Sequence, residues 1–241
     1  ELIEIDSCQI ADPKIDIGNL NSLKPPTGKK IDAIVGSDGN VDYFIEGRDN
    51  FKLVKQEVDG FEFQISPESF WQSHKRAAEV LSEVVFNFAR YQNADHVFDL
   101  YSGVGLFAAR AVSAVGPAGR ITMIEESLSA TTDAKRVFAE VSNVEVVQGR
   151  VEKSLTKFAR ADVVIVDPPR TGAGAKVLQE IVRLAPRTLI YVACDPAALA
   201  RDTATLLSSG FKLDSMRAFD LFPMTQHMEV VARWWTCRCP L

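Results

Sequence analysis

Cys194 is the residue with the clearest capacity for covalent chemistry. It ends an apolar, strand-like run, and a lone cysteine in such a place is often a small buried apolar residue. Here Gly103, Glu125 and Asp167 also stand at the ends of strand-like runs, so all four would face one crevice of a parallel sheet. A helix beginning near Pro196 would lower the thiol pKa through its N-terminal dipole. We therefore expect Cys194 to be a reactive thiol.

The segment 99–108, DLYSGVGLFA, predicts a cofactor site. Gly103 and Gly105 allow the backbone to pass close beneath a ligand. Glu125 follows about twenty residues later at the end of the next strand, where a carboxylate can accept hydrogen bonds from both ribose hydroxyls. A dinucleotide-binding turn would have a third glycine where Ala108 stands. With the acidic Asp99, the pattern favours a cofactor that has no phosphate and carries an ammonium group, as S-adenosylmethionine (SAM) does.

The sequence Asp-Pro-Pro-Arg-Thr-Gly at 167–172 follows a fourth apolar run. Its two prolines stiffen the loop and remove two backbone donors, so Asp167 can be presented to a planar ligand. An Asp-Pro-Pro turn at this place is common among methyltransferases that act on nucleobases. Arg170 replaces the aromatic residue usual in those that methylate exocyclic amines, which argues against amine chemistry.

A further polar cluster lies at 220–229, directly before the last apolar run. Glu229 begins that run, where a carboxylate costs desolvation free energy unless it is paired or used. We expect His227, two residues earlier, to orient the loop rather than to take part in chemistry.

These residues need a sheet to position them, and the apolar pattern predicts one. The predicted sheet contains strand-like runs at 96–100, 121–125, 144–148, 163–166 and 188–193. A glycine turn and a helix to 114 follow the first run, and a helix at 129–141 follows the second. A helix from about 73 precedes them, a helix at 197–208 follows, and strands at 211–219 and 228–235 close the series. Strand and helix in alternation predict a parallel sheet covered on both faces, with one antiparallel member.

Turn signals divide the first 65 residues into short strands, among them 31–35, 41–45 and 61–65, which read as β-hairpins. The predicted fold is therefore α/β: a Rossmann-like, class I SAM-dependent methyltransferase domain at 66–241, with a small β-rich N-terminal subdomain at 1–65.

Composition excludes several classes of protein. The chain has 241 residues, of which 46% are hydrophobic and 24% charged, so it is neither disordered nor fibrous. No run approaches the roughly 20 apolar residues of a membrane-spanning helix, and no secretory signal pattern begins the chain. We expect a soluble, cytoplasmic monomer without a membrane partner. The net charge is −5, and residues 1–60 hold 7 basic against 12 acidic side chains, so any site for a polyanion must be a local patch.

The four cysteines are too few and too scattered for a disulfide framework or a four-cysteine zinc site. We expect reduced thiols and no metal, and we interpret Cys237 and Cys239, near the end of the chain, as incidental.

Four ordered blocks resemble the RNA (uracil-C5)-methyltransferase family, which makes 5-methyluridine in tRNA or rRNA with SAM. They are SFWQ at 69–72, the glycine turn at 99–107, DPPRTG at 167–172 with YVACDP at 191–196, and DLFPMTQHME at 220–229. The resemblance runs from about residue 63 to residue 233. It implies an RNA (uracil-5-)-methyltransferase that acts on a uridine in structured RNA.

The resemblance also implies roles for individual residues. Cys194 would be the nucleophile that adds to uracil C6, and Glu229 the general base that removes the C5 proton. Phe70 would pack near the flipped base, with Arg170 and Gln72 also on the substrate side. The SAM pocket would be formed by Gln72, Tyr101, Gly103, Gly105, Glu125 and Asp167.

The chain differs from the family pattern at three places: Asp195 replaces an asparagine after the cysteine, and Leu106 and Arg150 stand at positions near the cofactor. Typical members also carry a TRAM domain and often an iron–sulfur cysteine cluster, so we expect residues 1–65 to be part of the family's central RNA-binding domain. The alternatives are a non-catalytic homologue that binds RNA or SAM, and a methyltransferase acting on a small molecule or on DNA cytosine.

Overall fold

A computed structural model describes residues 7–8, 10–48 and 52–236. Two small antiparallel hairpins come first, after one short helix. They are formed by β1 (Ile31–Val35) with β2 (Val41–Ile45) and by β3 (Val54–Val58) with β4 (Phe61–Ile65), and the helix is α1 (Ile17–Ser22). The predicted hairpins are confirmed.

The rest of the described chain alternates strands with helices around one seven-stranded sheet. Its elements are α2 (Ala77–Ala89), β5 (His96–Leu100), α3 (Leu106–Val115), β6 (Arg120–Glu125), α4 (Leu128–Val137), β7 (Val144–Gln148), α5 (Val151–Ser154), a 3₁₀ turn (Leu155–Lys157), β8 (Val163–Val166), α6 (Gly174–Leu184), β9 (Thr188–Ala193), α7 (Pro196–Ser208), β10 (Lys212–Phe219) and β11 (Glu229–Trp235).

The sheet has the order β10-β11-β9-β8-β5-β6-β7. Neighbouring strands from β9 through β7 pair in parallel, whereas β11 is antiparallel to both β9 and β10. The single antiparallel member predicted from the sequence is therefore β11. Chain order reverses beside β5, because β6 lies on one side of it and β8 on the other, and such a switch point opens a ligand crevice at the carboxyl ends of the strands.

Helices cover both faces, as predicted. Successive strand residues alternate between two buried clusters, so Val97 packs with α2, α3 and α4, and Phe98 packs with α6 and α7. Phe63 and Ile65 of β4 belong to the first cluster, so the second hairpin packs directly on the α/β layer. The division into domains at residue 65 stays a prediction.

Two helical predictions need correction. The helix predicted at 129–141 ends at Val137, and α6 is absent from the elements predicted above. The residues Val177, Leu178, Ile181 and Leu184 of α6 are buried at helical spacing, so the signal was present. Gly172 precedes α6 and Gly174 begins it, both with positive φ, and these glycines make the segment read as a loop.

Within the described residues, no helix is both long and apolar enough to cross a membrane.

Candidate active site

Cys194 and Glu229 lie at the same end of the sheet on neighbouring strands. In the antiparallel pair β9–β11, Ala193 is opposite Val230. Cys194 follows Ala193 and Glu229 precedes Val230, so the two residues lie at adjoining ends of these strands. They are close enough for the negative charge of Glu229 to act on the Cys194 thiol. The structure thus brings the two predicted catalytic residues together.

The environment of Cys194 opposes ionisation. Burial raises the pKa of the thiol, the negative charges of Glu229 and Asp167 raise it further, and Arg170 acts in the opposite direction. The expectation that the helix dipole gives a lowered pKa is wrong in direction: α7 does begin at Pro196, but desolvation and two carboxylates outweigh the favourable contacts. An unliganded thiol here is protonated at neutral pH.

Glu229 is buried, and burial raises its pKa while the charge of Arg170 lowers it. A carboxylate with a raised pKa is a stronger base than one in water, which suits removal of a proton from carbon. Arg170 is exposed on the loop after β8, and its charge acts on both Cys194 and Glu229.

Asp195 caps the helix that follows the cysteine. Its Oδ1 accepts a hydrogen bond of 2.8 Å from the Ala198 main-chain N–H, and Pro196 occupies the first turn of α7. An asparagine oxygen would cap the helix equally well. The change from the family pattern at this position therefore preserves the local structure that presents Cys194.

A pocket opens at the switch point beside β5. Its walls contain Phe70, Gln72, Tyr101, Gly103 and Asp167, all of which the sequence pattern places in the cofactor or substrate site. Phe70 is 67% exposed, so its ring is free to meet a ligand at the mouth of the pocket. Tyr101 has a φ of 59°, a strained value for a side chain of this size, and such strain is concentrated at functional sites.

Asp167 adds an unusual acid to the pocket. Its side chain retains some surface in the pocket, but the surrounding protein desolvates it, and burial with the nearby charge of Glu229 raises its pKa to about 8. Asp167 is therefore largely protonated at neutral pH and can donate a hydrogen bond as well as accept one.

Glu125 lies where the predicted ribose-binding carboxylate should be. Its Oε2 accepts a 3.0 Å hydrogen bond from the Gly103 main-chain N–H, and its Oε1 accepts one of 2.8 Å from the Ser127 N–H. Each carboxylate oxygen can still accept a further bond, so the pair of oxygens fits a cis-diol. No atom lies within 4 Å of the position that a Cβ on Gly103 would take, which leaves the turn open to a ligand.

Gly105 has a different reason to be glycine. Its φ is 97°, and a Cβ there would lie 2.4 Å from the ring of Phe138 and 2.8 Å from the methyl group of Met123. The residue permits close packing of the turn against α4, and its role in binding the cofactor stays a prediction.

Asp99 lies behind the glycine turn rather than in the pocket. It has no accessible surface, and its Oδ2 accepts a 3.0 Å bond from the Ala108 N–H, which fixes the start of α3. Burial raises its pKa well above the usual range. Its Oδ1 and the Ser102 hydroxyl are buried without a hydrogen-bond partner among the described residues, and of the two residues only Ser102 lines the pocket.

The loop at 167–172 is clamped by residues that no sequence motif marks. Oδ2 of Asp202, on α7, accepts hydrogen bonds from the Tyr191 hydroxyl at 2.6 Å and from the Ala173 main-chain N–H at 2.8 Å. A Cβ on Gly172 would lie 2.9 Å from the same oxygen. The clamp therefore ties the end of the Asp167 loop to the strand and helix on either side of Cys194.

His227 orients the loop before Glu229, in agreement with its predicted part. Its ring meets the edge of Phe222 at a centroid distance of 6.5 Å, and its N–H donates a 3.2 Å bond to Oγ1 of Thr225. Cys8 and Cys194 are free thiols, and Cys237 and Cys239 lie outside the described residues. The described residues contain no group of acidic, histidine and cysteine side chains that could hold a metal.

Comparison with known proteins decides the family. A family model described as tRNA (uracil-5-)-methyltransferase matches residues 118–233, which include Asp167, Cys194 and Glu229. Over this segment the chain matches the tRNA (uracil-5-)-methyltransferase family. The resemblance read from the four sequence blocks is confirmed.

Curated relatives of the chain are named as RNA methyltransferases. An uncharacterised RNA methyltransferase of Streptomyces avermitilis is 40% identical over 197 residues, which cover 81% of this chain and 45% of the relative. Another from Bifidobacterium longum is 36% identical over 88% of this chain and 52% of its own length. The chain thus spans about half the length of the curated relatives it matches.

A solved structure supports both the fold and the cofactor of the tRNA (uracil-5-)-methyltransferase family. The tRNA (uracil-54, C5)-methyltransferase of Pyrococcus abyssi, crystallised with S-adenosyl-L-homocysteine, is similar to 81% of this chain and 46% of its own, with 26% identity and a TM-score of 0.64. The predicted Rossmann-like fold and SAM as the family's cofactor are confirmed. The assignment of individual site residues stays a prediction.

Proposed function

We propose that the protein transfers a methyl group from SAM to C5 of a uridine in structured RNA, tRNA or rRNA. The observation that carries this proposal is the placement of Cys194 directly after β9 and of Glu229 at the start of the neighbouring strand β11, with the pocket residue Asp167 close enough for charge to act between it and both groups. A SAM enzyme that methylates a nitrogen or an oxygen has no need of a thiol next to a buried carboxylate. Methylation at C5 of a pyrimidine requires both groups.

The need arises from the weak nucleophilicity of uracil C5. The Cys194 thiol first releases its proton to solvent; the thiolate then adds to C6, a C–S bond forms, and C5 becomes enolate-like. SAM supplies an electrophilic methyl group on sulfonium, to which C5 then bonds. C5 now carries both a methyl group and its original proton, and aromaticity returns only when that proton leaves.

Glu229 removes the C5 proton, and the electron pair of the C5–H bond expels the thiolate from C6. Cys194 leaves the cycle as it entered, and the proton remains on Glu229. The raised pKa of Glu229 favours this acceptance. The protonated Asp167 is available to donate a hydrogen bond to a carbonyl oxygen or to a carboxylate in the pocket.

A uridine inside folded RNA must leave its stack to reach Cys194. The exposed ring of Phe70 at the pocket mouth provides an apolar surface on which the extruded base can stack. Recognition of this kind needs only local positive charge, such as Arg170, and is compatible with an acidic chain.

The proposal is tested with RNA that contains 5-fluorouridine. Fluorine at C5 cannot leave as a cation, so the thiol stays bonded to C6 after methyl transfer. Incubation with SAM and this RNA should give a protein–RNA adduct that survives denaturation, disappears in Cys194→Ala and persists in Cys8→Ala. An adduct that forms without Cys194, or methylation of total RNA at another nucleoside, would overturn the proposal.

A further inference from the structure

Asp133 is a carboxylate on α4 with no accessible surface. Its Oδ2 accepts hydrogen bonds from the main-chain N–H of Ser66 at 2.8 Å and from the hydroxyl of Ser69 at 2.7 Å. Its Oδ1 accepts one from the Ser66 hydroxyl at 2.7 Å and one from Nη1 of Arg136 at 2.8 Å. Burial by itself would raise the pKa of Asp133, but these hydrogen bonds outweigh it and the pKa is lowered. Asp133 is therefore an anion at all physiological pH values.

Three of these four contacts lead to one turn. The Ser69 N–H donates to the Ser66 carbonyl at 2.9 Å, which closes the turn, and both serines are buried. Residues 70–72 follow at once and form one wall of the pocket. Arg136 also donates to the Gln64 carbonyl at 3.1 Å, so the end of β4 is tied to the same helix. Asp133 therefore fixes the turn that directly precedes residues 70–72 of the pocket wall.

The other end of α4 is tied through Glu125 to the glycine turn, whose residue Gly103 also lines the pocket. Ser127 caps the helix, and its N–H donates to Glu125, the carboxylate positioned for the ribose. Asp133 lies six residues after Ser127, which is about 9 Å along a helix axis. Because a helix is rigid over this length, α4 sets the separation between Glu125 and the wall at 70–72.

We propose that Asp133 is a positioning residue that holds the wall at 70–72 against the Glu125 side of the pocket and so sets the affinity for SAM. Its effect on the uridine that stacks near Phe70 rests on the proposed function, whereas its effect on the cofactor does not. If Asp133 only stabilised the fold, its replacement would leave the affinity for SAM unchanged. Replacement of Ser69, which bonds to it, would also leave that affinity unchanged.

Asparagine cannot replace this carboxylate. An amide has one acceptor oxygen, and its NH₂ group donates. If the amide oxygen faces the Ser66 N–H, the NH₂ group faces Arg136. In the other orientation the NH₂ group faces the Ser66 N–H. Either way two donors oppose each other in a buried place, so Asp133→Asn loosens the turn while keeping the shape of the side chain.

The test measures S-adenosyl-L-homocysteine binding by calorimetry and amide hydrogen exchange by mass spectrometry on the full chain. Asp133→Asn should weaken binding about tenfold and raise exchange in the peptide spanning 66–72. Ser69→Ala should do both to a smaller extent, and the double variant should be little worse than Asp133→Asn alone, since both act through one contact.

The matched control is Asp95→Asn. Asp95 is also a buried aspartate, paired with Arg187 at 2.6 Å and bonded to the Gln92 N–H. It directly precedes β5, so it lies at the amino end of that strand, whereas the pocket lies at the carboxyl end. It should lower the thermal midpoint and leave affinity and exchange at 66–72 unchanged. If Asp133→Asn weakens binding no more than Asp95→Asn does, the proposal is wrong. The binding measurement needs no RNA, so the two proposals can fail separately. If no adduct formed with 5-fluorouridine RNA but Asp133→Asn still bound S-adenosyl-L-homocysteine about tenfold more weakly, only the proposed function would be wrong.

Discussion

The main-chain N–H of Gly103 donates a 3.0 Å hydrogen bond to Oε2 of Glu125, which joins the glycine turn after β5 to the end of β6. The same carboxylate accepts from the Ser127 N–H through its other oxygen. One side chain therefore joins the turn to the start of α4, and each of its oxygens can accept a further hydrogen bond. These contacts need a carboxylate with both oxygens available.

Glu125→Gln should weaken binding of S-adenosyl-L-homocysteine roughly tenfold or more. An amide has a single acceptor oxygen, so its NH₂ group opposes either the Gly103 N–H or the Ser127 N–H, and one acceptor for the ribose is lost. Calorimetry measures the change. Glu126→Gln, the exposed neighbour, is the matched control and should bind normally. Equal affinities of the two variants would remove Glu125 from the cofactor site.

Glu229→Gln should trap a covalent protein–RNA complex on ordinary uridine-containing RNA. Glutamine cannot accept the C5 proton, so the methylated base stays bonded to Cys194. A denaturing gel with labelled SAM detects the complex. Cys194→Ala should form none, and neither should the double variant. Normal turnover by Glu229→Gln would show that another group removes the proton.

Arg170→Gln should shift the rising limb of the pH–rate profile for kcat/KM to higher pH. The Arg170 charge lowers the pKa of both Cys194 and Glu229, and so opposes the rise in the thiol pKa. Without it, both groups ionise at higher pH, so the thiolate forms later as pH increases. Arg201→Gln, which removes an exposed cation from α7, should leave the limb in place. A profile of Arg170→Gln that coincides with that of the wild type would contradict this electrostatic role.

The sequence is informative about strands because the parallel strands are short, mostly apolar runs between turn residues. The bounds of β5, β7, β8 and β9 are therefore predictable to the residue. The site residues that follow these runs are predictable for the same reason. Hydrogen bonds across the fold are not: Asp133 reaches Ser66 across 67 residues of sequence, and no local pattern marks either of them. The pKa of Cys194 is raised first by burial and then by Glu229 and Asp167, which are distant from it in sequence, so a prediction from the helix N-terminus alone has the wrong sign.

Asp167→Asn should raise thermal stability at pH 8, with a difference that shrinks toward pH 4. The carboxyl pKa rises from 3.8 in the unfolded chain to about 8 in the fold. Between these values the folded state holds a proton that the unfolded state releases, so Asp167 costs stability increasingly as pH rises. Thermal midpoints across this range measure the effect, and SAM affinity should fall in the same variant.

Asp214→Asn serves as the control with the opposite sign. A hydrogen bond from Arg233 and another from Ser215 lower the pKa of Asp214, so it contributes stability above its usual pKa that is lost as pH falls through the folded value. Its replacement should slightly lower the midpoint at pH 8. Parallel behaviour of the two variants would refute the assignment of a raised pKa to Asp167.

Tyr191→Phe should lower the free energy of unfolding and Tyr91→Phe should not, although each variant removes one buried hydroxyl. The Tyr191 hydroxyl donates to Asp202 at 2.6 Å in the clamp that holds the Asp167 loop, so its loss leaves a buried carboxylate short of a donor. We expect a decrease of about 1–3 kcal/mol in the free energy of unfolding. The Tyr91 hydroxyl is buried without a hydrogen-bond partner among the described residues, so its removal should be neutral or stabilising.

Urea unfolding of the two variants measures this difference, and S-adenosyl-L-homocysteine affinity separates the clamp from general stability. Because Asp202 retains the Ala173 N–H, Tyr191→Phe should weaken the clamp without releasing it. The loop that carries Asp167 would then sample other positions, and affinity should fall modestly in Tyr191→Phe and not in Tyr91→Phe. A loss of stability in both variants would mean that the two hydroxyls are equally well bonded and that the clamp has no special part in the fold.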